Sequence, residues 1–253
     1  MAHRNFVKFT FLKVDPAWRR LPASERSRHK HEFASACEDF ATDRFLRTYS
    51  LVGTRGDVDL MLWAASPSLG DIHQFHVVLA QSGLLGWAEC PYSYLAMTKE
   101  SEYSEEERLE LHSSRRRYLF VYPFWKKREW YRLPAEERMR IMREHIEVGR
   151  RYPSVSINTT YSFGLDDQEF VVAFESDEPG DFLDLVQDLR TSESSSFTLR
   201  DTPIFTCIAT SVRKALDALD GGAPAQSARA EQPLERLAEE ASVGPAASTS
   251  RSD

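Results

Sequence analysis

A single histidine in the second half of the chain has the position expected of a metal ligand. Residues 135–150 carry apolar side chains at the spacing of an amphipathic helix. Ile141, His145 and Val148 lie on one stripe of that helix, so the imidazole should face its apolar side. A buried imidazole needs either a metal ion or a hydrogen-bonded neighbour. We therefore take His145 as a candidate metal ligand, with a hydrogen-bonded core histidine as the alternative.

The sequence around His145 favours haem iron over zinc. No second histidine or cysteine stands at ligand spacing nearby, as a tetrahedral zinc site would require. A haem iron takes one imidazole on its proximal side. The other histidines stand in polar or first-half contexts and are predicted to be structural or solvated: His3, His29, His31, His73, His76 and His112.

Four further side chains could contribute to such a site. Tyr122 and Lys126 end an aromatic, strand-like run, Tyr-Pro-Phe-Trp-Lys, and the lysine could bind a carboxylate or a phosphate. For each of two residues there is an alternative without function: Lys126 could be a solvated loop charge, as most are, and Trp130 could only pack in the core, as most tryptophans do. Glu193 follows the second helix and could orient a ligating histidine through a hydrogen bond.

The elements that must position these side chains come from an internal repeat. The segment at 18–26, Trp-Arg-Arg-Leu-Pro-Ala-Ser-Glu-Arg, returns in similar form at 130–138, an offset of 112 positions. Gly-Asp at 70–71 returns at 180–181, an offset of 110. A common helix start with proline in its first turn would explain one match, but not the shared spacing. The first half carries Phe33 where the second carries His145.

Each half reads as strand, helix, strand, strand, helix, strand, which is the order of the ferredoxin-like motif. In the second half these elements are predicted at 118–124, 135–150, 154–162, 169–175, 180–190 and 196–205. We expect an α+β protein with a ferredoxin-like half without cofactor at 1–110 and a cofactor-binding half at 111–220. Residues 221–253 are rich in Ala, Pro, Ser, Gly and Glu and are predicted to be a disordered tail.

Composition limits the partners and the compartment. The formal net charge of −7 over 253 residues disfavours a nucleic-acid partner, and the three arginines at 115–117 are predicted to be a solvated patch. Cys37, Cys90 and Cys207 are isolated thiols, which favours a reducing, cytoplasmic setting. The sequence has neither a secretory signal pattern nor the roughly 20 consecutive apolar residues of a membrane span, so we expect a soluble protein.

Four stretches resemble the chlorite dismutase superfamily, which includes the coproheme decarboxylases. They are Tyr-Pro-Phe-Trp-Lys at 122–126, Trp-Tyr-x-Leu-Pro-x-x-Glu-Arg at 130–138, His145 with Gly-Arg-x-Tyr at 149–152, and Ser-Phe-Gly-Leu-Asp-Asp-x-Glu at 162–169. The resemblance covers nearly the whole chain to about residue 215. It implies two ferredoxin-like halves joined as a dimeric-type α+β barrel, and a homo-oligomer that is a pentamer.

The resemblance also implies a role for each candidate residue. His145 would be the proximal iron ligand, with Glu193 as its hydrogen-bond partner. Tyr122 resembles the tyrosine that becomes a radical and oxidises a porphyrin propionate in coproheme decarboxylases. Lys126 resembles a lysine on the propionate side, and Trp130 a tryptophan of the haem pocket.

Three positions bear on the distal side of the iron and on the propionates. Arg108 stands where some decarboxylases hold a propionate. Asn158 occupies the place, thirteen residues beyond His145, where chlorite-degrading members have an arginine. Asparagine cannot supply the fixed positive charge of that arginine, which counts against chlorite dismutation and is compatible with decarboxylation. The distal base is left open between Glu105 and His112.

The resulting hypothesis is an enzyme that uses hydrogen peroxide to decarboxylate iron coproporphyrin III to haem b. A chlorite dismutase or haem peroxidase with the same iron is the second hypothesis. A haem carrier or sensor without catalytic activity, in which Tyr122 is structural, is the third.

Overall fold

The computed structural model describes residues 4–101, 103, 111 and 113–220. Its strands are β1 Phe6–Val14, β2 Phe45–Ser50, β3 Leu60–Ser66, β4 Ala88–Met97, β5 Tyr118–Lys126, β6 Ser156–Tyr161, β7 Phe170–Ser176, β8 Thr198–Arg200 and β9 Phe205–Thr210. Its helices are α1 Ala23–Phe40, α2 Leu69–Ala80, α3 Arg128–Arg132, α4 Ala135–Arg150, α5 Pro179–Thr191, α6 Glu193–Ser196 and α7 Val212–Asp217, with 3₁₀ turns at Pro16–Arg20 and Leu85–Trp87. Glu105, Arg108, His112 and the predicted tail at 221–253 lie outside the described residues.

These strands form one antiparallel sheet in the order β7-β6-β4-β1-β3-β2-β9-β5-β8, and β7 also pairs with β5. The apolar residues of β1 divide between two cores: Val7 and Phe9 enter one, Leu12 and Val14 the other. Side chains alternate across a strand, so a strand that is apolar on both faces must be covered on both. Helices cover one face of the sheet. On the other face, the strands of the two halves pack against each other.

The second-half part of the sheet has two faces, which we call the helix face and the inner face. The helix face carries Phe120, Val172 and Phe174, which pack against α4 and α5. The inner face carries Leu119, Val121, Val171 and Ala173, which pack against first-half residues that include Phe9, Phe11 and Trp63. Both halves contribute to this inner core, so they share one interior, and the contacts of the chain group Met1–Asp220 as one unit.

The internal repeat is visible in the elements. The starts of β1 and β5, Phe6 and Tyr118, are 112 positions apart, and those of β3 and β7, Leu60 and Phe170, are 110 apart. Gly53 and Gly164 both have positive φ, 84° and 72°, and each follows the first residue of an isolated bridge in its half. Glycine adopts this conformation without the steric cost of a Cβ atom. The α+β class and the ferredoxin-like order are confirmed.

The prediction of one continuous strand at 196–205 is wrong. The structure has the short strand β8, then a break, and β9 begins only at Phe205. Pro203 stands in the break and has no N–H to donate to a ladder, which is reason enough for the pairing to stop there. The short helices α3 and α6 were not predicted either. Among the described residues, no helix combines the length and the apolar composition that crossing a bilayer requires.

Candidate functional site

Ser194 is the point at which three elements of the second half meet. Its hydroxyl lies 2.9 Å from Nδ1 of His145 on α4, and its carbonyl oxygen accepts a hydrogen bond of 3.1 Å from Nζ of Lys126 at the end of β5. Ser194 itself lies on α6 and is only 2% exposed. One buried residue therefore fixes both the imidazole and the ammonium group.

His145 is a neutral imidazole near neutral pH. Burial and, to a smaller extent, the positive charge of Lys126 together lower the pKa of His145 to about 4. Burial also lowers the pKa of Lys126 to about 8, an effect that the nearby Glu169 opposes. Neutral imidazole is the form that binds a metal ion.

The hydrogen bond to Ser194 decides which nitrogen of His145 is available. Nδ1 is occupied by the serine, and no hydrogen bond between described residues uses Nε2. A ligating histidine commonly donates through one ring nitrogen and binds the metal through the other. Nε2 is thus the nitrogen open to a metal ion, and binding there would require Nδ1 to carry the proton and donate it to Ser194 Oγ.

Glu193 does not hold His145 in this structure, which corrects its predicted contact. Its carboxylate accepts a hydrogen bond of 2.7 Å from Nη2 of Arg140, which also binds Glu137 at 2.7 Å. Successive residues of a helix point in directions about 100° apart. On α6, Glu193 points to solvent, and the next residue, the buried Ser194, faces His145. Sequence reasoning chose the stronger hydrogen-bond acceptor and missed its neighbour.

Tyr122 lies on the helix face of β5, the side covered by α4. Its ring is 6.0 Å from that of Phe174. Burial raises the pKa of Tyr122 well above its usual value, the charge of Asp201 adds to this, and Arg190 opposes it. Arg190 and Asp201 form an ion pair. Tyr122 is therefore an intact phenol, with its O–H available as a source of a proton and an electron.

Trp130 and Lys126 lie against each other. Nζ of Lys126 is 4.5 Å from the centroid of the Trp130 ring, a cation–π distance. Trp130 is buried and contacts Phe197, with ring centroids 5.4 Å apart. The indole thus forms the surface on which the ammonium group rests.

Glu169 is a site residue that sequence reasoning did not single out. It accepts a hydrogen bond of 2.8 Å from the backbone N–H of Lys126 and one of 2.6 Å from the hydroxyl of Tyr131. It is the last residue of the Ser-Phe-Gly-Leu-Asp-Asp-x-Glu stretch. Glu169 therefore joins the end of β5 and α3 to the start of β7. The motif that contains it was the available signal.

Asn158 does not share a face with Tyr122, which corrects its predicted placement. It is opposite Ala173 in the β6–β7 pair, and directly opposite residues point to the same face, here the inner one. Asn158 is only 7% exposed. The β6 residues on the helix face are Ile157, which is 44% exposed, and Thr159. The residue thirteen positions after His145 is Asn158, which is one position away from the residues on the helix face. Because successive residues of a strand point to opposite faces, a difference of one position changes the face.

The structure therefore brings together His145, Lys126 and Trp130, with Tyr122 on the same side of the sheet. It separates Asn158 from them, and it places Glu193 next to the site but on another partner. Arg108 lies outside the described residues, so its predicted propionate contact stays a prediction.

Comparisons with known proteins agree with one another. The family model described as chlorite dismutase matches residues 26–210. A coproheme decarboxylase of Mycolicibacterium smegmatis is 32% identical over 161 residues, which cover 62% of this chain and 70% of that protein. A variant of chlorite dismutase from Candidatus Nitrospira defluvii has a similar structure, with a TM-score of 0.79, 24% identity, and coverage of 85% of this chain and 95% of that one. A heme-binding protein from Thermus thermophilus has a TM-score of 0.76 at 25% identity, with 87% and 97% covered.

Proposed function

The chain belongs to the chlorite dismutase family, and from this premise we propose that it is a haem-type iron enzyme that oxidatively decarboxylates iron coproporphyrin III to haem b. The observation that carries the proposal is the junction at Ser194, which holds a neutral imidazole and an ammonium group together. Tyr122 lies on the same side of the sheet. The coproheme decarboxylase of M. smegmatis is a relative at moderate identity and supports the same reaction.

These residue types fit an iron tetrapyrrole with carboxylate arms. Nε2 of His145 is a neutral nitrogen donor of the kind that haem iron takes. Lys126 can form a charge-assisted hydrogen bond with a propionate, and a bound carboxylate would raise the lowered pKa of this lysine. Trp130 supplies an aromatic surface beside it. Bound iron supplies the redox chemistry that activates peroxide.

The proposed reaction balances with one peroxide for each propionate. The side chain –CH₂CH₂COOH and H₂O₂ give –CH=CH₂, CO₂ and two molecules of water. The propionate loses two electrons and the peroxide gains them. The phenol of Tyr122 would first give a hydrogen atom to the oxidant derived from peroxide and then take one from the β-carbon of the propionate. Loss of CO₂, with transfer of the second electron to the same oxidant, would complete the vinyl group.

Each of the other site residues would have its own part in the proposed reaction. His145 binds and orients the tetrapyrrole, and Ser194 fixes the plane of the imidazole ring. Lys126 holds a propionate and selects for its negative charge. Glu169 fixes the backbone from which Lys126 extends. The burial of Tyr122 keeps its phenol protonated until oxidation.

The described residues support chlorite dismutation less well than decarboxylation. Ile157 and Thr159, the β6 residues on the helix face, carry no positive charge that could hold an oxyanion of chlorine. The structural relatives at 23–25% identity support the shared fold. A carrier without activity would use His145 in the same way and would have no need of Tyr122.

The test is direct. Protein reconstituted with iron coproporphyrin III is treated with hydrogen peroxide, and the porphyrins are separated by chromatography. We expect haem b and CO₂ from the wild type and from Tyr118→Phe, a control on the same strand. Tyr122→Phe should bind the substrate and release less than about one-hundredth as much CO₂. Oxygen release from chlorite without decarboxylation would favour a dismutase, and binding without either reaction a carrier.

The assembly and the compartment belong to the same proposal. Family resemblance suggests a homopentamer, which sedimentation of the purified protein would test. Cys37, Cys90 and Cys207 are all free thiols, which suits a reducing compartment such as the cytoplasm. A fluorescently tagged chain found outside the cytoplasm would contradict that part of the proposal.

A further inference from the structure

A second cavity lies apart from the His145 site, between the two halves of the chain. Its volume is about 360 Å³. It is bounded by β2, by the end of β9, by the segment that leads into β5, and by the end of β7. Its lining residues are Arg47, Thr48, Tyr49, Ser113, Arg115, Arg116, Glu175, Ala209, Thr210 and Ser211. Two of its three arginines, Arg115 and Arg116, belong to the run at 115–117 that was predicted to be a solvated patch.

Two of these three guanidinium groups form no ion pair with a described residue. Arg116 pairs with Asp177 at 2.9 Å, whereas Arg47 and Arg115 have no such partner in the described part of the chain. Glu175 is the carboxylate of the lining, and it accepts hydrogen bonds from Ser113 Oγ at 3.0 Å and from Ser114 N at 2.8 Å. With Arg116 balanced by Asp177, the lining keeps an excess of one positive charge even after Glu175 is counted.

Tyr49 adds a neutral hydrogen-bond donor to the lining of the cavity. It is only 2% exposed, and its hydroxyl makes no hydrogen bond with any described residue. Burial raises the pKa of Tyr49, the charge of Glu175 adds to this, and Arg47 opposes it, so both charged groups lie close to the ring. The buried side-chain atoms without a partner in the described chain are Trp63 Nε1 and Arg138 Nε, so the Tyr49 hydroxyl is reached by solvent. Tyr49 lines the cavity, and its hydroxyl can donate to a molecule held there.

The backbone presents Arg115 to the cavity in a costly conformation. Its φ of 56° is the one positive value among the described residues other than glycine. The flanking residues are tied down, because Asp177 accepts from the backbone N–H of Arg117 at 2.8 Å and Glu175 accepts from that of Ser114. Strained residues that the surrounding structure holds in place are concentrated at ligand-binding positions.

We propose that this cavity binds a small oxyanion of the phosphate class, held by Arg47 and Arg115 with Tyr49 as a neutral donor. Guanidinium groups match the oxygens of a phosphate with paired hydrogen bonds. Glu175 would accept a hydrogen bond from a protonated phosphate oxygen or from a hydroxyl group of a phosphate ester. The site uses the inner face and not the helix face, so it does not depend on the proposed reaction.

The test is a calorimetric titration of the full-length protein with inorganic phosphate at constant ionic strength, with chloride as the reference anion. We expect saturable binding to the wild type and to Arg20→Gln, a change at an exposed arginine far from the cavity in sequence. Arg47→Gln should weaken binding about tenfold, the loss expected for one charge-assisted contact. Equal affinity of the wild type and Arg47→Gln, or no saturable binding up to about 10 mM phosphate, would overturn the proposal.

Tyr49→Phe keeps the test decisive if Arg47→Gln does not fold. This variant removes one oxygen that has no partner within the described chain, so the unliganded protein should be no less stable. We expect it to bind phosphate several-fold more weakly while its circular dichroism and melting temperature stay unchanged. If Tyr49→Phe instead lowers the melting temperature and leaves phosphate affinity unaltered, the hydroxyl has a structural partner and the proposal fails.

Discussion

The identity of the hydrogen-bond partner of the candidate iron ligand is the main residue-scale finding. Ser194 presents a neutral oxygen to Nδ1 of His145, while Glu193 is balanced by Arg140 on the surface. A carboxylate partner would give the imidazole more anionic character than a hydroxyl does. We therefore expect Ser194 to orient the ligand without adding charge to it.

This assignment predicts a difference between two neighbouring variants. Ser194→Ala should weaken the affinity for iron coproporphyrin III roughly tenfold or more, because Nδ1 loses its partner. Glu193→Gln should have little effect, since that carboxylate is 42% exposed and bound to Arg140. Titrations followed by the Soret band measure both affinities. The assignment would be wrong if Glu193→Gln lost more affinity than Ser194→Ala.

The protonation of His145 gives a second residue-scale prediction. Its pKa is about 4 in the folded chain and about 6.5 when the chain is unfolded. The unfolded state therefore binds the proton first, and the ligand-free protein loses stability as the pH falls below about 6.5 towards 4. His145→Phe, which installs the residue type found at Phe33, should reduce this loss. Urea unfolding at pH 7 and pH 5 would show it, and a wild-type imidazole that titrates near 6.5 by NMR would contradict it.

At the scale of elements, the sequence was most informative where one periodicity dominates. The bounds of α4 match their prediction, because Pro134 precedes a long amphipathic pattern and acidic residues occupy the first turn. β6 is short and polar, so its face could not be read from hydrophobicity, and the count from His145 placed Asn158 on the wrong side. α6 has four residues, fewer than any periodic pattern needs, so Ser194 could not be separated from Glu193.

Glu169 provides the element-scale prediction, because it joins β7 to the end of β5 and to α3. Glu169→Gln should lower the free energy of unfolding by about 1–3 kcal/mol, since a buried charge-assisted pair of hydrogen bonds is weakened. Tyr131→Phe should cost less, and the double variant should cost less than the sum, because the two groups share one hydrogen bond. Additive losses in urea unfolding would show that the contact contributes nothing.

At the scale of the whole molecule, the duplication was readable and the shared core was not. Offsets in the sequence disclosed two similar halves, but only the register of the strands shows that Phe9 and Trp63 pack against Leu119 and Val171. Long-range pairings such as that of β2 with β9 leave no local trace in the sequence. The halves are thus one folding unit whose second member keeps the candidate iron site.

This shared core predicts that the second half does not fold alone. A fragment of residues 111–220 would expose its inner face and the strand edges that pair with β2 and β4. We expect it to aggregate or to lack a cooperative unfolding transition by circular dichroism. A soluble fragment that unfolds cooperatively and binds iron coproporphyrin III would show that the halves are independent.

The account rests on His145 as the iron ligand, and one spectroscopic comparison tests it most directly. The wild type, His145→Ala and His73→Ala, an exposed first-half control, are reconstituted with iron coproporphyrin III and their visible spectra recorded. We expect His145→Ala alone to shift the Soret band and to lose at least tenfold in affinity, with added imidazole restoring the band. An unchanged band and affinity in His145→Ala would contradict the account.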